Sequence, residues 1–381
     1  MSAEHPVAPL ANLSDAGPEV SAIPLGPGAA GRTLVALGYG TFVAALVLVI
    51  PPLFFPQMSR ELQVSVPLLV QVISAMLGLS VVLGLVVGPL ADRSGYRRLI
   101  IAGLIAAAIC FLGFGLAPGF LLLLLVSGAG AMADAGVFGP STAVAGTAFA
   151  GLAARRAIGW TQAAQAASGI VGVPLLAALG AAAGWRAAFV AAGLLALAGA
   201  ALAATWLPRD HRRAVEPLRI EALLAPYRPL LRHRGMRRLY GATLVGAICW
   251  MGMLTYLGAF LAEALGLGPG HVGLAYMGVG AGYCLGSLCV GGPLARIRAQ
   301  SLVVLGFLAG AGLIALAFSG QVGTVGAVAA LMGAALMWGV EGVAMTTVLT
   351  GETPSGAGTT MTLSGSLFNL GGRGEASSAV C

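Results

Sequence analysis

The amino-acid sequence predicts an all-α polytopic membrane protein built from two related halves. Three observations favour this fold class: a very apolar composition, long apolar segments that recur along the chain, and arginines that collect between alternate segments. The 381 residues are 58% hydrophobic and 9% charged, with a mean hydropathy of +0.94. A soluble protein of this length needs much more polar surface, so the composition excludes one.

The apolar segments have the length of membrane-spanning helices. A helix that crosses about 30 Å of hydrocarbon needs about 20 residues. Ten segments qualify: 34–56, 67–88, 98–117, 119–143, 159–182, 187–207, 238–262, 271–293, 300–318 and 322–347. A weaker stretch rich in Gly, Ser and Thr follows at 355–371. Each segment must be helical, because lipid offers no hydrogen-bond partner to an open strand edge.

The regions outside the spans define the remaining domains. Residues 1–31 lack the basic start and short apolar core of a signal peptide, and they predict a disordered cytoplasmic tail. The predicted domains are the tail 1–31, an N-terminal half 32–207, a cytoplasmic linker 208–237, a C-terminal half 238–371 and an aberrant tail 372–381.

The arginines predict the orientation. The chain has no lysine, so its positive side chains other than histidine are arginines. If the N-terminus is in the cytoplasm, seventeen arginines lie on that side and only Arg60 and Arg186 lie outside. Arg373, in the C-terminal tail, is left out of this count. Such an excess marks the cytoplasmic side. The net charge of +7 therefore indicates orientation rather than nucleic-acid binding. The Ala-, Gly- and Arg-rich composition suggests a bacterial protein, so we expect a bacterial inner (cytoplasmic) membrane location.

One short loop is the most specific motif. The string GPLADRSGYRRLI at 88–100 connects the second and third spans. Its glycines allow two helices to approach closely, and its arginines fix the loop in the cytoplasm. The string resembles the loop pattern G-x-L-a-D-r-x-G-r-r of major facilitator superfamily transporters. The matching residues are Gly88, Leu90, Asp92, Arg93, Gly95 and Arg97, with Arg98 as a further positive charge.

This resemblance implies a major facilitator fold of two six-helix halves. A weak internal repeat agrees with it, because GPLA occurs at 88–91 and again at 292–295, each time at the cytoplasmic end of the second span of its half. Parallel repeats of this kind build many transporters. The second copy is degenerate, since Arg296 stands where the first has Asp92. The resemblance also implies that Asp92 and the nearby arginines hold the two halves together in one access state.

The fifth span carries a second resemblance. Its string SGIVGVPLLAALGAAAGWRAAF at 168–189 is similar to the fifth-helix motif of drug:proton antiporters of the arabinose-efflux and chloramphenicol-resistance type. The motif residues are Gly169, Gly172 and Pro174, although Val173 separates the last two, which the antiporter pattern usually has adjacent. The alternative is a generic packing helix of small residues. Gln162 and Gln165 in the same span are interpreted as packing residues.

Two acids lie within predicted spans. Asp134 is in the fourth span and Glu341 in the tenth, and charged groups at mid-bilayer cost about 2.5–3.5 kcal/mol on insertion scales. The resemblance implies that these equivalent helices line a central cavity, so both acids are candidate proton carriers. The family often has an arginine in helix four, which this span lacks. The alternative is a structural role for both acids as hydrogen-bonded groups between helices.

The remaining candidates concern the substrate. Aromatic and amide side chains suit an amphipathic ligand. They are Tyr39, Trp250, Tyr256, Trp338 and Asn369, each of which has core packing as an alternative role. The cysteines and histidines form no metal or nucleophile pattern, so we expect no catalytic residue, no metal and no cofactor.

Together these features imply a monomeric membrane transporter that exports a small organic molecule, drug-like or sugar-like, against inward proton movement. The expected partners are that substrate, protons and the lipid bilayer, and not nucleic acid. One alternative is a metabolite uniporter or importer, and another is a non-functional transporter fragment. The last alternative follows from the C-terminus, where RGEASSAVC replaces the rest of an eleventh span and predicts a half truncated in that helix.

Overall fold

A computed structural model describes residues 27–209 and 223–376, and within these ranges the ordered elements are helical. The helices of the first half are α1 Pro27–Leu62, α2 Val66–Ser94, α3 Tyr96–Leu116, α4 Phe120–Thr147, α5 Gly151–Ala167, α6 Val173–Ala183 and α7 Trp185–Trp206. Those that follow are α8 Tyr227–Arg232, α9 Arg234–Ala259, α10 Pro269–Cys289, α11 Ala299–Phe318, α12 Thr324–Gly351 and α13 Ala357–Ala376.

The prediction of ten candidate membrane-spanning helices is confirmed. Within the described ranges, ten helices are long and apolar enough to cross a bilayer, and each overlaps one of the ten predicted segments. The fifth consists of α5, a π-helical turn at Ser168–Gly172 and α6, and together they cover Gly151–Ala183. The turn precedes Pro174, which has no N–H to donate to the preceding turn and therefore disturbs the regular α-helical pattern.

Two boundaries differ from the prediction. Helix α1 begins at Pro27, so the part of the predicted tail that lies in 27–31 is helical, while 1–26 lies outside the described residues. Helix α13 extends to Ala376, through the part of 372–381 that was predicted to leave the span. The arginine and glutamate in this stretch reduce its hydropathy, and the helix nevertheless continues to Ala376.

The first half packs around a cluster of aromatic rings. The ring of Phe189 on α7 stacks on Phe114 at 5.3 Å between centroids and meets Phe54 at 5.8 Å and Trp185 edge-on at 5.9 Å. These side chains are almost fully buried. The cluster therefore joins α1, α3 and α7, and α4 and α5 pack against these helices.

The two halves meet along two seams, each of which pairs elements of opposite halves. Helix α13 packs against α2 and α4, and α10 and α12 pack against α5. The α2–α13 approach requires glycine, because a methyl group at Gly88 would lie 2.9 Å from the Cα of Thr359. We call the end of the molecule that carries the loops 94–96, 147–151 and 290–298 the arginine-rich end. The predicted orientation places this end in the cytoplasm.

The two GPLA copies occupy equivalent places but differ in structure. The first lies inside α2, and the second lies in the turns that follow α10. Helix α10 thus ends before the second copy begins, whereas α2 continues for three residues beyond the first copy, to Ser94.

Candidate functional site

Asp92 binds the first turn of a helix that belongs to the other half. Its carboxylate accepts hydrogen bonds from the backbone N–H groups of Gly358 and Thr359, both at 2.8 Å. The Thr359 hydroxyl donates to it at 2.6 Å, and the hydroxyl of Tyr96 does so at 2.6 Å. The carboxylate therefore caps α13 from outside. The first N–H groups of a helix have no partner within it, and the positive end of the helix dipole favours an anion there.

The other loop residues have local roles in the first half. Gly95 has φ 98°, which favours glycine, and it separates α2 from α3. Leu90 packs near Val87 and Ala91 on the inner face of α2. Arg97 donates to the carbonyl of Ala204 on α7, which belongs to the same half.

The two arginines of the predicted loop other than Arg97 differ in their exposure. Arg93 is half-buried, and Arg98 is exposed. The hydrogen bonds of Asp92 in this loop cross the seam.

A second set of contacts closes the other seam at the same end. Arg156 on α5 donates to the carbonyl of Gly291 at 2.9 Å. Arg155 donates to the carbonyls of Ala295 at 3.2 Å and Ile297 at 2.8 Å. The acceptors lie in the turns that hold the second GPLA copy. The turns around the degenerate copy thus supply backbone carbonyls that accept hydrogen bonds from arginines. The acid that follows the first copy instead accepts hydrogen bonds from backbone N–H groups.

The segment that precedes α9 also reaches both halves. The hydroxyl of Tyr227 on α8 donates to the carbonyl of Leu85 on α2 at 2.8 Å. Pro89 lacks the N–H that would normally bind that carbonyl from four residues later, so Tyr227 supplies the missing donor. From the second half, Ser355 donates to the carbonyl of Pro226 at 2.7 Å.

Asp134 joins α4 to helices of both halves. Its side chain is 7% exposed, and it accepts hydrogen bonds from the hydroxyl of Ser80 on α2 and from the amide of Asn369 on α13, the latter at 2.7 Å. Asn369 belongs to the second half. A buried acid is therefore shared across the seam, and the predicted proton carrier Asp134 lies beside the predicted substrate contact Asn369.

Glu341 lies at a different interface. Its side chain is 4% exposed, and its Cα would lie 3.1 Å from a methyl group placed at Gly306 on α11. It therefore packs inside the second half. In the described part of the chain, no hydrogen bond links Glu341 to Asp134.

Sequence comparison identifies the family. The family model of the Major Facilitator Superfamily matches residues 37–372. The chain belongs to the major facilitator superfamily. It is therefore a membrane transporter, and the match covers nearly all of the described helices.

Solved structures agree on the fold. The human organic anion transporter MFSD10 (TETRAN) is similar with a TM-score of 0.68 and 17% identity over 92% of each chain. The fucose:proton symporter FucP of E. coli has a TM-score of 0.69 and 15% identity, over 91% of this chain and 90% of that chain. At these identities the likeness concerns the fold alone. A comparison with curated proteins finds no match.

The fifth-span motif of this transporter faces its own half. A methyl group at Gly172 would lie 3.1 Å from the ring of Phe42 on α1, whereas one at Gly169 would meet no atom within 4 Å. Pro174 begins the α6 part of the span. The motif thus lies where the π-helical turn contacts α1.

The GWR residues that follow this span act at the opposite end of the molecule. Arg186 forms an ion pair with Glu61 at 2.9 Å and donates to the carbonyls of Gly115 and Ala117, both at 3.0 Å. The indole of Trp185 donates to Glu61 at 2.5 Å. These contacts connect the ends of α1, α3 and α7, and both charged side chains are partly exposed, so the pair itself adds little stability.

Two of the predicted substrate contacts lie together. The rings of Trp250 and Trp338 stack at 5.3 Å between centroids with 1° between their planes. Tyr39 instead donates its hydroxyl to the carbonyl of Leu195 at 3.1 Å within the first half, and Tyr256 is 62% exposed on α9. The second half thus contributes an aromatic pair, and the tyrosines lie elsewhere.

Sequence reasoning missed three residues at the centre of the second seam. Gln162 on α5 donates to the hydroxyl of Thr346 on α12 at 3.1 Å and accepts from the hydroxyl of Tyr283 on α10 at 3.3 Å. Gln162 was interpreted as a packing residue. The available signal was a polar amide inside an apolar span, since such a group in lipid requires a partner.

Proposed function

We propose that this transporter exports a small organic molecule in exchange for protons, with its arginine-rich end in the cytoplasm. The observation that carries the proposal is the buried Asp134 carboxyl, which binds Ser80 of its own half and Asn369 of the other. The resemblance of the fifth span to drug:proton antiporters favours export over import. Each proton that enters gains about 2.3 kcal/mol per 100 mV of membrane potential.

Protonation of Asp134 changes the strength of the seam. As a carboxylate, Asp134 is an acceptor for both hydroxyl and amide donors, and hydrogen bonds to an ionised group contribute about 1.5–3 kcal/mol. A protonated carboxyl is a weaker acceptor and has a hydrogen of its own to place. Because Asn369 lies on α13, the loss of charge weakens the contact between the halves and favours their separation at this seam.

The contacts at the arginine-rich end favour a state closed on that side. In the opposite state the Asp92 and Arg156 contacts must break together, since both lie between rigid halves. Proton binding at Asp134 and opening at Asp92 involve the same pair of helices, α2 and α13. This shared seam gives a direct route from proton uptake to a change of access.

Transport by purified protein in proteoliposomes tests the proposal. We expect a panel of drug-like and sugar-like molecules to include one that dissipates a pH gradient on addition. Asp134→Asn should abolish pH-driven export while permitting downhill exchange of the same molecule. Glu263→Gln is the matched control, because Glu263 lies in the seventh span and is exposed. Transport that leaves the pH gradient intact in the wild type would favour the uniporter or importer instead.

Glu341 provides a second test of the coupling site. If Glu341 is a second carrier, Glu341→Gln also abolishes pH-driven export; if it serves packing against α11, this variant retains coupling and loses only stability. Full pH-driven export by both the Asp134 and Glu341 variants would exclude both acids as carriers.

A further inference from the structure

We propose that the start of the second half binds the head group of an anionic phospholipid, and that the acyl chains of the same lipid lie along the apolar residues that follow on α9. Such a lipid site goes beyond the proposed function, because it depends on neither the substrate nor the coupling of transport. Five arginines form the site, which we call the basic face: Arg228 and Arg232 on α8, and Arg234, Arg237 and Arg238 on α9.

The arginines of the basic face are concentrated and exposed. They fall between positions 228 and 238, and each of them is exposed. In the part of the chain that the structure describes, their guanidinium groups form no hydrogen bond or ion pair. From position 223 to position 240 the sequence has no aspartate or glutamate. The segment therefore carries positive charge without an acid of its own, and an anion from outside the protein would complete it.

Asp92 is an acid of the first half that acts on α8 without neutralising the basic face. Burial raises the pKa of Tyr227 to about 12, and the charge of Asp92 adds to this shift. The Asp92 carboxylate already accepts hydrogen bonds from the first turn of α13 and from Tyr96. Tyr227 is buried, whereas Arg228 and Arg232 are exposed. The arginines thus remain available to solvent and lipid.

One side of α9 is ordered as a phospholipid is, with charge first and apolar surface after it. Its exposed residues recur every three or four positions and so share one face of the helix. Arg234 and Arg238 begin this face, and Val245 and Ile248, which are 60% and 45% exposed, follow deeper in the span. At Gly241, between the two groups, a methyl group would meet no atom within 4 Å, so the surface is open there.

The spacing along α9 fits a single lipid molecule. Ile248 lies ten residues beyond Arg238, or about 15 Å along the helix. That distance is about half of the 30 Å hydrocarbon core, which is the depth of one leaflet. A lipid whose phosphate binds the arginines would therefore cover Gly241, Val245 and Ile248 with its chain. A nucleic acid or a soluble acidic protein would reach only the arginines, so this face favours lipid.

Helix α8 holds its arginines close to the membrane surface. Tyr227 donates to the carbonyl of Leu85, which lies nine residues, or about 13 Å, before the end of α2 at Ser94. This contact fixes α8 alongside the membrane-spanning part of α2. Leu231 is 55% exposed beside the exposed Arg232. Exposed apolar and basic groups on one short helix are typical of segments that lie in the interface between head groups and acyl chains.

Lipid binding to the purified full chain, measured by native mass spectrometry, tests the proposal. The probes are dioleoyl phosphatidylglycerol and dioleoyl phosphatidylcholine, which share acyl chains and differ in head-group charge. We expect the wild type to bind phosphatidylglycerol at least about tenfold more tightly, since each arginine near an anionic head group contributes about fivefold. Arg234→Gln with Arg238→Gln should lose about 25-fold in phosphatidylglycerol affinity and leave phosphatidylcholine affinity unchanged.

Two further double variants are the controls. Arg32→Gln with Arg209→Gln removes the same charge from exposed arginines on α1 and after α7, and it should change the affinity by less than about twofold. Arg234→Lys with Arg238→Lys keeps the charge of the basic face and should bind within about threefold of the wild type, because lysine also binds phosphate. Soluble glycerophosphoglycerol, the head group without chains, should not displace the lipid even in large excess.

Three results would overturn the proposal: equal affinity of the wild type for the two lipids, an equal loss in the Arg32 and Arg209 control, or displacement by the soluble head group, which would indicate a site for free anions. Thermal unfolding of each variant identifies misfolded protein. If the glutamine double variant unfolds, Arg237→Gln replaces it, with an expected loss of about fivefold. Because transport is not measured, failure of this test leaves the proposed export intact, and failure of export leaves the lipid site intact.

Discussion

At the scale of a residue, the carboxylate of Asp92 links two helices of opposite halves. It extends from near the end of α2 and accepts the N–H groups of Gly358 and Thr359 in the first turn of α13. An amide side chain in its place would keep an acceptor oxygen but lose the charge. The interaction with the helix dipole and the charge-assisted bonds would both weaken.

We therefore expect Asp92→Asn to destabilise the closed state by about 2 kcal/mol, or roughly 30-fold in the ratio of closed to open molecules. Turnover should fall, because the two access states are no longer balanced, while membrane insertion is unaffected. The measurement is the transport rate in proteoliposomes at matched protein content. Glu352→Gln is the control, since this exposed acid at the same end binds Gln300 within its own half. Normal turnover of Asp92→Asn would remove the proposed gating role.

At the scale of elements, α8 supplies the hydrogen-bond donor that the proline in α2 lacks. Pro89 leaves the Leu85 carbonyl without its usual donor, and Tyr227 supplies one from the segment between the halves. Leu230 on the same short helix is fully buried, so α8 is packed and not merely adjacent. Burial raises the pKa of Tyr227 to about 12, so the hydroxyl keeps its proton at neutral pH and remains a donor.

Tyr227→Phe should remove that donor and leave the Leu85 carbonyl unpaired. We expect a loss of about 1 kcal/mol, which is roughly a fivefold shift towards the open state, together with a lower melting temperature. Opening can be measured as maleimide labelling of Thr350→Cys, introduced after replacement of the native cysteines, because Thr350 on α12 is half-buried against Gly146 of the first half at this end. Tyr256→Phe is the control at an exposed tyrosine. A lower melting temperature with unchanged labelling would show that α8 supports the fold but not the gate.

At the scale of the whole molecule, closure at the arginine-rich end involves two seams. The α2–α13 seam uses Asp92 and the α5–α10 seam uses Arg156, and each side chain binds backbone groups of the opposite half. If the halves move as rigid bodies, both contacts stabilise a single closed state. Their contributions to its free energy are then independent and additive.

The double variant Asp92→Asn with Arg156→Gln tests this arrangement. We expect its labelling rate at Thr350→Cys to exceed that of the wild type by the product of the two single effects, with the free energies adding within about 0.5 kcal/mol. Arg209→Gln, at an exposed arginine, is the control for loss of positive charge. A double variant no faster than the faster single variant would indicate that one seam alone governs opening.

The sequence by itself determined the fold class, the ten spans and the loop motif, because hydropathy and segment length follow from the constraints of the bilayer on any helix. The partners of the polar side chains depended on the tertiary structure. Asp134 binds Asn369 across 235 positions of sequence, and Gln162 binds Thr346 across 184. Periodicity describes which residues are apolar along one helix. Which polar group meets which is decided only when the two halves pack, because the low polarity of the interior requires each buried polar group to find a partner and only the packed fold brings that partner near.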